Sequence, residues 1–214
     1  DAISWRKKVL LPMEPSDAST PGYHLAEQIK SNVSTPKGYG HYRIYDSSYG
    51  KNPEKTPCNV NNVTNAWTSS TYGAVFWWTH GWQYGAVDIM DTSRASSLDN
   101  THPSFTFQCS CLNSYPELSG NLSYTLLKNG VIGAVGGTRV TWYLPGQTNF
   151  TNTASNGGFT YQYAKNLITN GETAGYALHN LKQSLSFWGD AWWMNFTAMV
   201  LYGDPECGIN SYAA

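Results

Sequence analysis

The sequence predicts an α/β fold, a mostly parallel sheet with helices on both faces. Short apolar, β-prone runs alternate along the chain with stretches whose apolar residues recur at helical spacing, the order that strand-helix-strand crossovers impose on a parallel sheet. Two of these runs, residues 74–79 (AVFWWT) and 105–110 (FTFQCS), stop at a chemically capable side chain, His80 and Cys111, and sites in open parallel sheets are built at the carboxyl ends of strands. The 214 residues are ample for one α/β core and short for two, so a single domain over residues 1–214 is expected.

The elements follow in order. Residues 7–13 (KKVLLPM) read as a first strand, and Thr20-Pro21 as a cap residue followed by proline at the first helical position. Leu25, Ile29 and Val33 then put one buried stripe on a helix over 21–33. Residues 39–45 alternate as a second strand, 59–69 form a helix of weak propensity, and 72–79 and 104–110 are the third and fourth strands. Ser114 with Glu117 three residues on resembles a capping box, Leu118, Leu122 and Leu126 make an apolar stripe, and Gly130 stops that helix. Residues 131–135 are a fifth strand. Residues 145–160 (PGQTNFTNTASNGGFT) predict a mobile loop suited to a lid, and Ala174, Ala177, Leu178, Leu181 and Leu185 turn one face of a helix over 173–185 inward.

Composition narrows the function. Only 13% of residues are charged, the formal net charge is −1 and no Lys/Arg run occurs, which argues against nucleic acid as a partner. No apolar stretch approaches the roughly 20 residues that span a membrane, and no charged-then-apolar leader opens the chain. Low charge with abundant Asn, Thr, Ser, Gly and Tyr is a look common among exported bacterial proteins, so a secreted or cell-surface bacterial protein is expected. The start at Asp1 without an initiator Met suggests part of a longer precursor. Sequons at Asn32, Asn62, Asn121, Asn149 and Asn195 are a number that chance produces in a chain this rich in Asn and Thr. Of four cysteines, Cys58 and Cys207 could form one bridge and leave Cys109 and Cys111 free.

Cysteine attack on a carbonyl needs a thiolate-like sulfur, a nearby base or proton donor, and hydrogen-bond donors for the developing oxyanion. Cys111 and His80 could supply the first two. Gly81, which lacks a Cβ, leaves its N–H open to approach, and with the N–H of Cys111 it could form the oxyanion site. Asp88 and Asp91 could orient the imidazole or bind a structural cation such as calcium; the bland alternative is a pair of solvated loop carboxylates. Trp77 and Trp78, inside a strand buried on both faces, belong to the core, as do most of Trp82, Trp188, Trp192 and Trp193, while His24, His41, His102 and His179 read as structural.

His80-Gly81 after one strand and Ser110-Cys111 after the next resemble the caspase-like cysteine peptidases, and Ser110-Cys111-Leu112-Asn113-Ser114 is most similar to the gingipain type within them. Residues 126–139 look like that type's helix, Gly, strand and small-residue turn after the nucleophile, and Gly203-Asp204-Pro205 like its closing signature. The resemblance runs from about residue 73 to the C-terminus; little of it is recognisable over 141–173, and the first 70 residues match only in their pattern of elements. It implies a caspase-like three-layer sandwich and a cysteine endopeptidase acting on proteins or peptides without a required cofactor. Cys111 rather than Cys109 would be the nucleophile, with Cys109 packed beneath it as a small hydrophobe. The resemblance places substrate contacts at Arg139, Trp142 and Tyr143. Cleavage after a basic residue, the habit of the gingipain type, would need an acidic pocket residue; Glu117 is a candidate that helix capping explains equally well, and Arg139, if it pointed inward, would favour an acidic substrate instead. A different class of function competes: an inactive caspase-like module that binds glycan or protein partners through exposed aromatic residues.

Overall fold

The computed structural model describes residues 4–101, 103–186 and 189–210; His102 and Trp188 lie outside the described residues. Five parallel strands and one antiparallel edge strand make the central sheet. These are β1 (Lys8–Pro12), β2 (Gly40–Ile44), β3 (Ala74–Trp78), β7 (Phe105–Cys109), β8 (Gly133–Gly137) and β9 (Met199–Gly203), in the spatial order β2-β1-β3-β7-β8-β9. Between β3 and β7 the chain makes a small antiparallel sheet of β4 (Gly81–Trp82), β5 (Gly85–Ala86) and β6 (Met90–Asp91), then the short helix α3 (Thr92–Ala95).

Alternation along the strands builds two cores. Val9, Leu11, Met13, Ala74, Phe76, Trp78, Phe105, Phe107 and Cys109 face one side, where they meet α1 (Tyr23–Ile29), α5 (Asn156–Ala164) and α6 (Ala174–Ser184), with Trp192 and Phe196 of α7 (Asp190–Ala198) packed against that cluster. Leu10, Val75, Trp77 and Ala134 face the other side, against α2 (Val60–Ser69) and α4 (Leu122–Lys128). The expected three-layer architecture is therefore present. It also decides the question of a Cys58–Cys207 bridge, which the cysteine count leaves open: both thiols are free, because Cys58 belongs to one core and Cys207 packs against the other, with the sheet between them.

Several boundaries differ from expectation. Thr20-Pro21 does not open the first helix. Gly22, at φ 75°, is the residue before α1 and has no side chain to cap with, while the Thr20 hydroxyl is used elsewhere, donating to Asp17 and accepting from the Gly146 N–H. Ser114 does not cap a long helix either: it is buried against the Ser123 hydroxyl (2.6 Å), α4 begins at Leu122, and Asn121 caps it by accepting from the Tyr124 N–H. The fifth strand lies two residues later than expected, at Gly133–Gly137. The expected mobile loop over 145–160 is corrected most. Its second half is α5, capped by Ser155 and almost wholly buried. A Cβ at Gly157 would come within 2.3 Å of the Trp78 ring and 2.7 Å of Phe150, so a glycine lets this helix lie directly on the sheet.

Candidate active site

The carboxyl ends of β1, β3 and β7 meet around a pocket of about 210 Å³ lined by Ser16, Trp78, Thr79, His80, Cys109, Ser110, Cys111, Val140, Thr141, Trp142, Tyr143 and Asn156. β1 and β3 are adjacent strands whose connections run to opposite sides, which is where an open sheet splits to form a crevice. His80 and Cys111 thus line one cavity, delivered from neighbouring strands.

Each is held by backbone. The His80 Nε2 lies 2.7 Å from the Ser16 carbonyl, so Nε2 carries the proton and Nδ1 is left for other work. Ser16 is itself fixed by the indole N–H of Trp78 on its hydroxyl (2.8 Å). Tyr143 sets its ring edge-on to His80 (6.1 Å between centroids) and donates its hydroxyl to Asp17 (2.8 Å). Hydrogen bonds from Ser19, Tyr143 and Thr20 hold the Asp17 carboxyl down at about 2. Neither Asp88 nor Asp91 orients the imidazole. Asp91 caps α3 through the Arg94 N–H, and Asp88 acts on Glu14. Among the described residues no three His, Cys, Asp or Glu groups converge as a metal would require.

Cys111 sits just past β7, where Leu112 adopts φ 62° and turns the chain sharply back. Its sulfur lies 3.4 Å from the Thr141 N–H and 3.5 Å from the Thr141 carbonyl. A Cβ on Gly81 would fall 2.6 Å from the Cys111 carbonyl oxygen and 3.0 Å from its nitrogen, so the His-Gly turn rests on the cysteine's own backbone. Cys109 is buried in the core, and burial pushes its thiol well above the usual range.

The network that fixes this turn was not read from the sequence. Asn113, fully buried, donates to the Trp82 and Gly85 carbonyls (2.7 and 2.8 Å) and accepts from the Ser110 hydroxyl, tying the cysteine turn to the β4–β5 hairpin that follows His80. Trp77 donates to the same Ser110 hydroxyl (3.0 Å). Beneath them Ser114, Ser123 and Gln108 form a buried hydroxyl-amide chain. Its signal in the sequence was Gln108, a polar residue inside an apolar strand. Asn195 gave no signal as a site residue: it accepts the Trp142 N–H (2.7 Å) and donates to the Trp142 carbonyl (2.8 Å), pairing with that backbone as a strand would.

Of the expected substrate contacts, Trp142 and Tyr143 line the pocket, and Arg139 does not. Arg139 turns outward to Glu117 (Nη2–Oε1 2.5 Å) with both side chains half exposed, so neither residue charges the cavity. Trp67, Trp77 and Trp78 are core, whereas Trp82, Trp142 and Trp193 are exposed.

One carboxyl near this site titrates close to neutrality. Burial first, then Asp88 and Asp46, push Glu14 up from 4.5 to about 7. The folded protein thus holds this proton more tightly than the unfolded chain, so the stability it contributes is complete below pH 4.5 and lost as pH rises to about 7. Glu14 is only half-buried, and solvent screening reduces the effect to about 1 kcal/mol. Urea midpoints across pH 4.5 to 7 are expected to fall with pH in the parent and to lose that slope in Glu14→Gln; equal slopes would contradict the assignment.

No protein-family profile matches the chain, and no curated protein matches it in sequence. Solved structures do match in fold. The Arg-specific cysteine proteinase gingipain R superposes with a TM-score of 0.73 at 16% identity, over 94% of this chain and 47% of that one. The complex of Porphyromonas gingivalis RgpB pro- and mature domains matches with a TM-score of 0.68 at 14% identity, over 94% and 48%. A structure described only as a protease matches at 0.61 and 14%, over 96% and 49%. The chain spans about half the length of these structures. Its fold is the caspase-like α/β fold of gingipain R.

Proposed function

We propose that this chain is a cysteine endopeptidase that hydrolyses peptide bonds with Cys111 as nucleophile and His80 as its proton partner. One observation carries the reading: both side chains line a single pocket at the ends of adjacent parallel strands, with Gly81 packed on the backbone of Cys111. In the proposed reaction the Cys111 thiol gives its proton to His80, and the sulfur bonds to the peptide carbonyl carbon while the carbonyl π electrons move to oxygen. The N–H groups of Gly81 and Cys111 receive that oxyanion. Collapse expels the amine, which takes the proton from His80, and water then cleaves the thioester to release the acid and restore the thiol. Substrate entry releases the sulfur from Thr141, whose backbone holds it in the resting site. No metal or cofactor has a step in this chemistry, and a secreted or cell-surface bacterial setting is proposed with it.

Peptidyl acyloxymethyl ketones test the reading. Mass mapping of the folded, reduced protein is expected to find one adduct, on Cys111. A folded protein that yields no adduct would exclude it. The competing reading, an inactive glycan- or protein-binding module, draws on the exposed Trp82, Tyr84, Trp142 and Trp193, and retention on a glycan array without peptide cleavage would favour it.

A further inference from the structure

Taking the peptidase reading as given, the pocket beside Cys111 carries information about which side chain it accepts. A carbonyl carbon poised for attack stands about 3–3.5 Å from the sulfur, and the side chain of that residue starts two bonds further on, so it enters the cavity that Cys111 lines. None of the twelve lining residues is acidic, and His80, the proposed proton partner, is the only basic one. Arg139 and Glu117 neutralise one another outside it, and Asp17 is occupied by Tyr143, Ser19 and Thr20.

The polar side chains of the lining are engaged with the protein itself. The Thr79 hydroxyl donates to the Val87 carbonyl (2.9 Å), and the Ser110 hydroxyl accepts from the Trp77 indole (3.0 Å) and donates to Asn113. The Thr141 hydroxyl accepts from the Asn156 amide (2.6 Å), whose oxygen lies buried inside the wall. Ser16 Oγ accepts from the Trp78 indole N–H (2.8 Å), the Tyr143 hydroxyl goes to Asp17, and the Trp142 indole N–H points to the Met194 sulfur (3.2 Å). What the cavity offers an incoming group is therefore mainly ring and hydrocarbon. Trp78 and Cys109 contribute to it from the buried core, and Val140 and Trp142 from the exposed rim. A guanidinium, ammonium or carboxylate entering this space would lose its water with no opposite charge to meet it, and a carboxamide would find no free side-chain partner. An apolar side chain carries no such penalty and gains by leaving water.

We propose that this pocket selects an apolar side chain, of the leucine, methionine or phenylalanine kind, at the residue whose carbonyl Cys111 attacks, with Trp78, Val140 and Trp142 as the residues that select it. Specificity therefore departs from the cleavage after basic residues that the sequence resemblance suggested.

The test compares second-order rates of Cys111 labelling by acyloxymethyl ketones ending in Leu, Met, Phe, Asn, Arg, Lys or Asp, on the whole chain and on Val140→Asp. In the parent, the fastest of the Leu, Met and Phe probes is expected to exceed Asn, Arg, Lys and Asp by about tenfold or more, the scale on which burying one such side chain is felt; which of the three leads identifies the shape the pocket fits. Val140 lies on the exposed rim, where the fold tolerates a polar residue of similar length, and Val140→Asp gives the pocket a carboxylate that is expected to move the preference to Arg or Lys. An Asn, Arg, Lys or Asp probe within tenfold of the best apolar one in the parent, or the same ranking in both proteins, would overturn the pocket assignment while leaving the peptidase reading standing. No Cys111 adduct from any probe would overturn both.

Discussion

Cys111→Ala is expected to lower peptide cleavage by about four orders of magnitude or more, the scale on which loss of a catalytic nucleophile is felt. The variant should remain folded. Cys111 is only partly buried, and the sulfur's neighbours, the Thr141 N–H and carbonyl, sit at 3.4 and 3.5 Å, long enough to be weak contacts. Cys109 provides the internal control, since it is buried in the core with a thiol that burial keeps protonated. Cys109→Ala should lower thermal stability modestly and leave cleavage largely intact. His80→Ala should cost about 10²–10⁴-fold, the usual worth of a positioned proton donor. Progress curves on a peptide mixture, read beside thermal melts of all three variants, separate the roles. Full activity in Cys111→Ala, or loss that follows Cys109 instead, would remove Cys111 as nucleophile.

Arg43→Met is expected to destabilise the fold by about 3 kcal/mol, the scale of breaking a buried ion pair by removing one partner. Arg43 is buried on β2 at the sheet edge. Its guanidinium forks onto Glu54 (Nε–Oε2 3.0 Å, Nη2–Oε1 2.7 Å), reaches Glu27 (2.5 Å) and donates to the Asn52 carbonyl (2.7 Å). Tyr45 adds its hydroxyl to Glu27 (2.5 Å). Burial alone would raise both carboxyls, but hydrogen bonds from Tyr45 and Arg43 to Glu27, and from Arg43 to Glu54, outweigh it and hold both below their ordinary value. Methionine keeps much of the arginine stem's packing and leaves two half-buried carboxylates without the guanidinium that bridged them, Glu27 retaining a 4.0 Å contact to the Lys30 ammonium. Denaturant titration should give a lower midpoint with an unchanged slope. The added changes Glu27→Gln and Glu54→Gln should recover part of the loss, and failure to recover any would attribute it to packing.

The central strands were legible because a parallel strand buried on both faces reads as an apolar run, and each of the runs over 7–13, 72–79 and 104–110 contains an observed strand. Helices with a single apolar stripe and a cap, such as Thr173 before α6, were legible for the same local reason. α5 was not. It opens Ser155-Asn156-Gly157-Gly158, a loop-like composition, and it lies on the sheet because Gly157 lets it approach Trp78, a contact that only the tertiary structure supplies. β9 carries an apolar run, Met199-Val200-Leu201-Tyr202, that the sequence reading left unassigned, and its antiparallel pairing with β8 at the sheet edge is a choice of partner that local sequence does not report.

The sequence by itself determined the α/β class and the placing of His80 and Cys111 at strand ends, because strand periodicity and chain order are local properties. Tertiary structure alone decided what surrounds them. The Ser16 carbonyl reaches His80 across 64 residues, Asn195 reaches the Trp142 backbone across 53, and Asn156 meets Thr141 across 15. Such contacts join polar residues that are unremarkable in sequence and are selected only when folding buries them, since a buried donor or acceptor must find its partner wherever the chain brings one.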